Sequence, residues 1–333
     1  FNSVDASRIP EVTARSMSFS VSANSLGISV CSIEKRIGGS TLAKLNIGLR
    51  QARLLCQMPH DERLAFISEG LPIILESARG FWTAAEHLQQ RPREANVLEG
   101  FAEEEAAKIL ILMDIVRCPP ELVASRIGPL VGRFYDHLAR LLYAEAQRWK
   151  PMHVSQLREY VDEQRKAHYF DGKSGEYIVP NWNISRRESQ LYADVEAYED
   201  GAPMWSKPTG HVSSLGQFKP AALQVAESLS MVGAFSLAGV RATADVWGAT
   251  EFKDAENWED SEKLTRRMLE KLIADDLPSS GASDRDVSTL FHSWQMPMYN
   301  LDFKLIDVPL ADLERARDAM LWAEAGYSPD GGY

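Results

Sequence analysis

Apolar residues recur at three- and four-residue steps from about residue 61, which is the spacing of a helix with one buried face. The positions that define this face are Leu64, Ile67, Leu71, Ile74 and Leu75. The same period continues to about residue 88 and predicts one long helix. Pro72 lies inside it, so a kink or a division is expected there. A second helix is predicted over 94–117 and ends at Pro119 and Pro120.

Shorter helical patterns follow in both later parts of the chain. Up to residue 200, helices are predicted over 121–127, 130–149 and 155–166. The first of these should stop at Gly128 and Pro129. Ser185 and Glu188 have the spacing of a capping box, which predicts that helix resumes there. Beyond that point, helices are predicted over about 219–247, 259–274 and 310–325.

These elements predict a mainly α fold built on an antiparallel helical bundle. The bundle is assigned to 61–200, with an N-terminal extension at 1–60 and a C-terminal helical region at 201–333. The second boundary rests on Gly201, Pro203 and Pro208, since glycine and proline favour loops over helices.

Composition narrows the class of protein without naming a function. The chain has 333 residues, 45% of them hydrophobic, which is enough apolar surface for a folded core. No apolar run reaches the ~18 residues of a membrane helix, and no signal peptide is recognised. Cys31, Cys56 and Cys118 fit neither a disulfide framework nor a zinc site, so a protein of the reducing cytoplasm is expected. No cofactor is predicted.

The net charge of −11 argues against a protein coated in nucleic acid, but one segment is basic. Residues 133–168 hold seven Lys or Arg against five Asp or Glu, so they carry +2 and the remainder −13. On one helix, Arg133, His137 and Arg140 would share a stripe beside the buried face. Two guanidinium groups can hold a phosphate, and an imidazole can move a proton near neutral pH. These three are the candidate catalytic residues for metal-free phosphodiester cleavage; the alternative is a solvated basic face.

An acidic segment on the preceding helix can support such a site. Glu104 and Lys108 have the spacing of a helical ion pair, and either Glu103 or Glu104 can orient Arg133 or Arg140. These residues, together with Asp136, are the candidate supporting residues. The adjacent carboxylates of 103–105 can also ligate a metal ion. A di-iron bundle needs Glu-x-x-His pairs, however, and the sequence has none, so no metal is predicted.

Basic and aromatic residues alternate further along the chain. Arg165, Lys166, His168 and Tyr169 form this segment and are the candidate RNA-binding residues. Such residues can hold a backbone and stack a base. The alternative is a helix C-terminus carrying basic residues that complement its dipole.

Three motifs over about 63–200 together resemble the AbiV family of abortive-infection proteins. They are Ala102-Glu103-Glu104-Glu105-Ala-Ala-Lys108, Phe134-x-x-His137-x-x-Arg140 and Lys166-Ala-His168-Tyr169-Phe170-Asp171. AbiV proteins are placed in the HEPN superfamily. The resemblance implies a helical bundle that often dimerises, RNase activity in many members, and a role in phage defence. HEPN nucleases usually have four to six residues between their arginine and histidine, whereas three separate Arg133 from His137.

Two functions remain open from the sequence. The first is a metal-independent endoribonuclease of bacterial antiviral defence, acting on RNA as a homodimer with a composite site. The second is a non-catalytic interaction protein that binds and inhibits a partner in translation or phage replication, through residues 1–60 or 201–333. The acidic charge outside 133–168 and the long flanking regions favour the second.

Overall fold

The computed structural model describes residues 51–196, 202–210 and 218–324, all of which belong to one compact unit. The predicted extension at 1–60 therefore lies mostly outside the described residues, as does Cys31. The part that is described begins with a 3-10 helix, Gln51–Cys56. Eleven α-helices and four short strands form the regular structure of the described residues. The prediction of a mainly α fold is confirmed.

The two longest helices form an antiparallel hairpin. Helix α1 is His60–His87 and α2 is Pro92–Arg117, joined by a turn at 88–91. Helix α1 continues through Pro72 and is not divided there. Pro72 lies on the exposed side of α1, where water can hydrogen-bond the carbonyl that loses its helical partner.

The next two helices differ from the sequence prediction. Helix α3 is Pro120–Tyr135 and passes through Gly128 and Pro129 without stopping. Asp136 has an extended backbone, and helix α4, His137–Ala146, begins directly after it. The single helix predicted over 130–149 is therefore wrong. Asp136 ends one helix and caps the next, because its carboxylate accepts a hydrogen bond from the Ala139 N–H at 2.8 Å.

Short strands alternate with helices in the following segment. In chain order the elements are α5 Val154–Gln164, β1 His168–Asp171, β2 Tyr177–Pro180, α6 Trp182–Leu191, β3 Asp194–Glu196 and β4 Met204–Ser206. Strands β1 and β2 form one antiparallel hairpin, and β3 and β4 another. Asn181 caps α6 by accepting from the Ile184 N–H, so the predicted start at Ser185 is three residues late.

Five helices complete the described residues. They are α7 Ala221–Met231, α8 Leu237–Trp247, α9 Trp258–Ala274, α10 Asp284–Ser293 and α11 Leu310–Glu324. Helices α7 and α8 pack directly against α1 and α2. The described residues on both sides of the predicted boundary near residue 201 therefore share one hydrophobic core.

Helix α2 lies at the centre of this core. Every residue from Ile109 to Val116 is buried, and α2 contacts α1, α3, α4, α6, α7 and α8. A helix that is apolar on all sides is stable only when neighbours surround it, and these helices supply that cover. Glu104 lies on α2 five residues before this buried run begins, and it too is buried.

Candidate functional site

The three candidate catalytic residues do not share a face. Arg133 is in the last turn of α3, whereas His137 and Arg140 belong to α4. The break at Asp136 separates the two helices, so the predicted stripe of three side chains is wrong. Only His137 and Arg140 are brought together: a terminal nitrogen of Arg140 lies 2.7 Å from His137 Nδ1.

Arg133 is buried and faces the C-terminal part of the chain. Its guanidinium donates to the carbonyl of Met298 at 3.0 Å, to the carbonyl of Leu301, and to the Tyr143 hydroxyl at 3.1 Å. The guanidinium also lies over the Phe303 ring, 4.6 Å from its centroid. We call this arrangement the carbonyl clamp. It engages the guanidinium of Arg133 inside the protein, away from His137 and Arg140.

Glu104 is the residue around which the remaining groups assemble. Its side chain is only 4% exposed, and one carboxylate oxygen lies 2.8 Å from His137 Nδ1 and 3.0 Å from Arg140. The other oxygen accepts from Arg187 Nε at 2.6 Å. We call these four residues the Glu104 cluster. The prediction that Glu103 or Glu104 pairs with Arg133 or Arg140 is confirmed for Glu104 and Arg140.

The hydrogen bonds within the cluster assign the proton on the His137 ring. A ring nitrogen carries either a proton or a lone pair, so Nδ1 can donate to Glu104 or accept from Arg140 but cannot do both. If Nδ1 accepted from Arg140, its lone pair would face a carboxylate oxygen 2.8 Å away. If Nδ1 donates, Glu104 is satisfied and Arg140 still has the same carboxylate as a partner. In the neutral ring the proton therefore belongs on Nδ1, and Nε2 carries the lone pair.

The exposure of the four side chains divides their roles. The His137 side chain is 55% exposed, while its Nδ1 faces the buried carboxylate of Glu104. Arg140 is 9% exposed and Arg187 20%. The cluster thus presents one accessible imidazole that is held from behind by a buried carboxylate. A buried carboxylate behind an imidazole fixes the orientation and the tautomer of the ring.

Arg187 was not predicted as a site residue. It lies on α6, 83 residues after Glu104, and reaches α2 because α6 packs against both α2 and α4. The sequence does show Arg186 and Arg187 side by side in a predicted helix, and that pair is the signal available for finding it.

A small cavity adjoins the cluster. It has a volume of about 50 Å³, and its lining includes Glu104, Arg187, Arg186 and Asn183. A space of this size holds a few water molecules but not a nucleotide. The imidazole of His137 is not part of this lining.

The remaining supporting residues have other partners. Glu103 pairs with Arg148, and burial raises the pKa of Glu103 while Arg148 opposes that shift. Lys108 pairs with Glu105, not with Glu104 as the helical spacing suggested. Asp136 is the cap of α4. Within the described residues, the side chains of Glu103, Lys108 and Asp136 make no contact with His137. Asp136 fixes the position of His137 through the backbone, because it caps α4.

The candidate RNA-binding residues are largely used in contacts within the protein. Arg165 donates to Asp162, Asp302 and the carbonyl of Lys304. Lys166 pairs with Glu163. Arg165 and Lys166 therefore form ion pairs at the end of α5. This agrees with the alternative interpretation of the segment as a helix C-terminus that carries basic residues.

The two ring side chains of this segment lie on β1. The Tyr169 hydroxyl donates to the carbonyl of Gln164 at 2.8 Å, and burial raises the Tyr169 pKa to about 12. Nδ1 of His168 is buried and makes no hydrogen bond within the described part of the chain. Neither ring forms part of the Glu104 cluster.

Comparisons with known proteins leave the chain without an assigned relative. No family model matches it, and no curated protein or solved structure is significantly similar to it. Within residues 51–196, 202–210 and 218–324, no group of three or more His, Cys, Asp or Glu side chains is arranged around a common point. In the same residues, no helix has both the length and the apolar character needed to cross a membrane.

Proposed function

We propose that this chain is an endoribonuclease that cleaves RNA without a metal ion, with His137 as its general base. The observation that carries the proposal is the exposed imidazole of His137 held by the buried carboxylate of Glu104. A hydrogen bond from Nδ1–H to a carboxylate holds the neutral ring in the tautomer whose Nε2 carries a lone pair, and it stabilises the imidazolium that forms when Nε2 takes a proton.

In this reaction Nε2 removes the proton from a ribose 2′-hydroxyl. The 2′-oxygen forms a bond to phosphorus, and the bond from phosphorus to the 5′-oxygen breaks. The 5′-oxygen leaves with a proton from water, so the products end in a 2′,3′-cyclic phosphate and a 5′-hydroxyl. Within the Glu104 cluster two guanidinium groups oppose one carboxylate, which favours the approach of a phosphate.

The wider setting of the proposal rests on the resemblance to AbiV proteins. It comprises a role in bacterial antiphage defence, a cytoplasmic location, and a homodimer whose two copies complete the site. In this version Arg187 replaces Arg133 as the second cation, and Arg140 acts as a positioning residue through Glu104.

The test compares the variants H137A and H153A on a fluorescent RNA. His153 is an exposed histidine at the start of α5 and lies outside the Glu104 cluster, so H153A is a matched control. General base catalysis supplies about 10²–10⁴-fold, so H137A should lose at least about 100-fold in cleavage rate while H153A keeps the wild-type rate. An RNA with a single 2′-deoxy nucleotide should resist cleavage at that position. Equal rates for H137A and wild type, or a wild type that never cleaves RNA, would refute the proposal.

A second candidate is a non-catalytic interaction protein. The observation that favours it is that the guanidinium groups of Arg133 and Arg140 are engaged inside the protein and are not free to hold a phosphate. The absence of RNA cleavage by the wild-type protein, with a stable complex that resists high salt, is the outcome this candidate predicts.

A further inference from the structure

An apolar groove lies on the side of α1 that faces the 3-10 helix Gln51–Cys56 and α3. It has a volume of about 460 Å³, which is within the range of ligand-binding pockets. Its lining comprises Leu54, Leu55 and Met58 at the N-terminal side, Phe66, Ile67, Gly70 and Ile74 on α1, Leu112 and Ile115 on α2, and Val131, Phe134 and Tyr135 on α3. Leu54 is 56% exposed and Phe66 52%, so large apolar side chains remain open to solvent here.

Charge is distributed unevenly along the α1 edge of this groove. Glu62, Phe66, Glu69, Ile73 and Glu76 are all exposed and follow one another at steps of four and three residues. On a helix, this spacing places them in a single stripe. We call this stripe the acidic rim. Its three carboxylates form no hydrogen bond or ion pair with any described residue, and Ile73 is 67% exposed.

The opposite side of the groove carries little compensating charge. Arg53 is the basic residue of the 3-10 helix. On the α2 and α3 side, Lys108 is paired with Glu105 and lies over the Phe134 ring. The groove therefore combines an apolar floor with unpaired negative charge along one edge.

We propose that the apolar groove binds a basic amphipathic helix of a partner protein. Leucine-like side chains on one face of that helix would fill the groove, and Lys or Arg side chains beside them would pair with the acidic rim. This is the mode in which an amphipathic helix lays its apolar face into a hydrophobic groove. The negative charge of the acidic rim argues against an RNA or an anionic membrane as the occupant, because both also carry negative charge and would be repelled.

Gly70 provides a way to block the groove without disturbing the fold. A Cβ atom added at Gly70 meets no other atom within 4 Å, and the same is true at Gly80 on the same helix. Replacing a helical glycine with leucine also raises helix propensity, so both variants should fold at least as well as the wild type. Gly70 lines the groove, whereas Gly80 lies ten residues further along α1, about 15 Å away. G70L is therefore the test variant and G80L its matched control.

The probe is a labelled 18-residue helical peptide with leucine at i, i+3, i+4 and i+7 and lysine at the other positions. Its binding to the full chain is measured by fluorescence anisotropy, together with a second peptide in which glutamate replaces lysine. We expect saturable binding of the lysine peptide, at least a tenfold weaker affinity for G70L, and no change for G80L. The triple variant E62Q/E69Q/E76Q should bind the lysine peptide more weakly and lose much of the salt dependence of binding.

Three results would overturn this proposal. One is the absence of saturable binding to the wild type, and another is equal affinity for G70L and G80L or for the two peptides. The third is a concentration-dependent self-association of the chain that G70L abolishes, because the occupant would then be a second copy. None of these measurements uses RNA cleavage, so they are independent of the function proposed for His137.

Discussion

Replacing Glu104 with glutamine tests the centre of the candidate site. Glutamine keeps the size of the side chain but removes the charge that faces Arg140 and Arg187. Breaking a buried ion pair by removing one partner costs about 3–5 kcal/mol, because the other charge stays buried without compensation. Arg187 is 20% exposed and can regain water, whereas Arg140, at 9%, cannot. We therefore expect E104Q to lower the free energy of unfolding by about 3 kcal/mol, the lower end of that range.

The control is E105Q on the next residue of α2. Glu105 has one partner, Lys108, and both side chains are more exposed than Glu104. Loss of such a pair should cost less than about 1 kcal/mol. Urea unfolding gives both values, and thermal unfolding should show a lower Tm for E104Q by about 6–12 °C. If E104Q is no less stable than E105Q, the Glu104 cluster does not hold α2, α4 and α6 together as described.

Three further outcomes follow from individual contacts. R133M should lower the free energy of unfolding by about 3 kcal/mol, because buried carbonyls lose their donor. It should also speed hydrogen exchange over 294–303. Unchanged exchange would exclude the carbonyl clamp. D136A should lose about 1 kcal/mol while D136N keeps most of the stability, and equal losses would show that Asp136 does not cap α4. Burial raises the Cys118 pKa to about 12, so at pH 8 only roughly 10⁻⁴ of this thiol is thiolate. Iodoacetamide should therefore modify Cys56 long before Cys118 in the folded protein, as peptide mass mapping can check.

The helices that depend on one buried face could be predicted from the sequence. The spacing of Leu64, Ile67 and Leu71 identifies α1 because those residues are buried in the hydrophobic core of the structure. Predictions based on single prolines were less successful. Pro72 and Pro129 both lie inside helices, at exposed positions. Packing on the opposite face stabilises each helix by more than the missing proline N–H destabilises it.

The environment of Arg133 could not be predicted from local spacing. Its partners Met298 and Leu301 are 165 and 168 residues away, in a segment after α10. Helical periodicity places a side chain on a face but does not say which distant backbone covers that face. The same limit applies to Arg187, which reaches Glu104 across 83 residues. Glu104 and His137 were both selected from the sequence, but the hydrogen bond between them required the packing of α4 on α2.

The break at Asp136 changes which residues a functional argument should use. Because Arg133 lies in the last turn of α3 and belongs to the carbonyl clamp, its short spacing from His137 along the chain does not bring the two side chains together. The relevant pair is Glu104 and His137, contributed by two helices whose contact is part of the hydrophobic core. Under the proposed nuclease function, we therefore expect substitutions of Arg133 to change stability and those of His137 to change the cleavage rate. An RNA-cleaving protein that lost activity with R133M but not with H137A would contradict this separation and return the site to the end of α3.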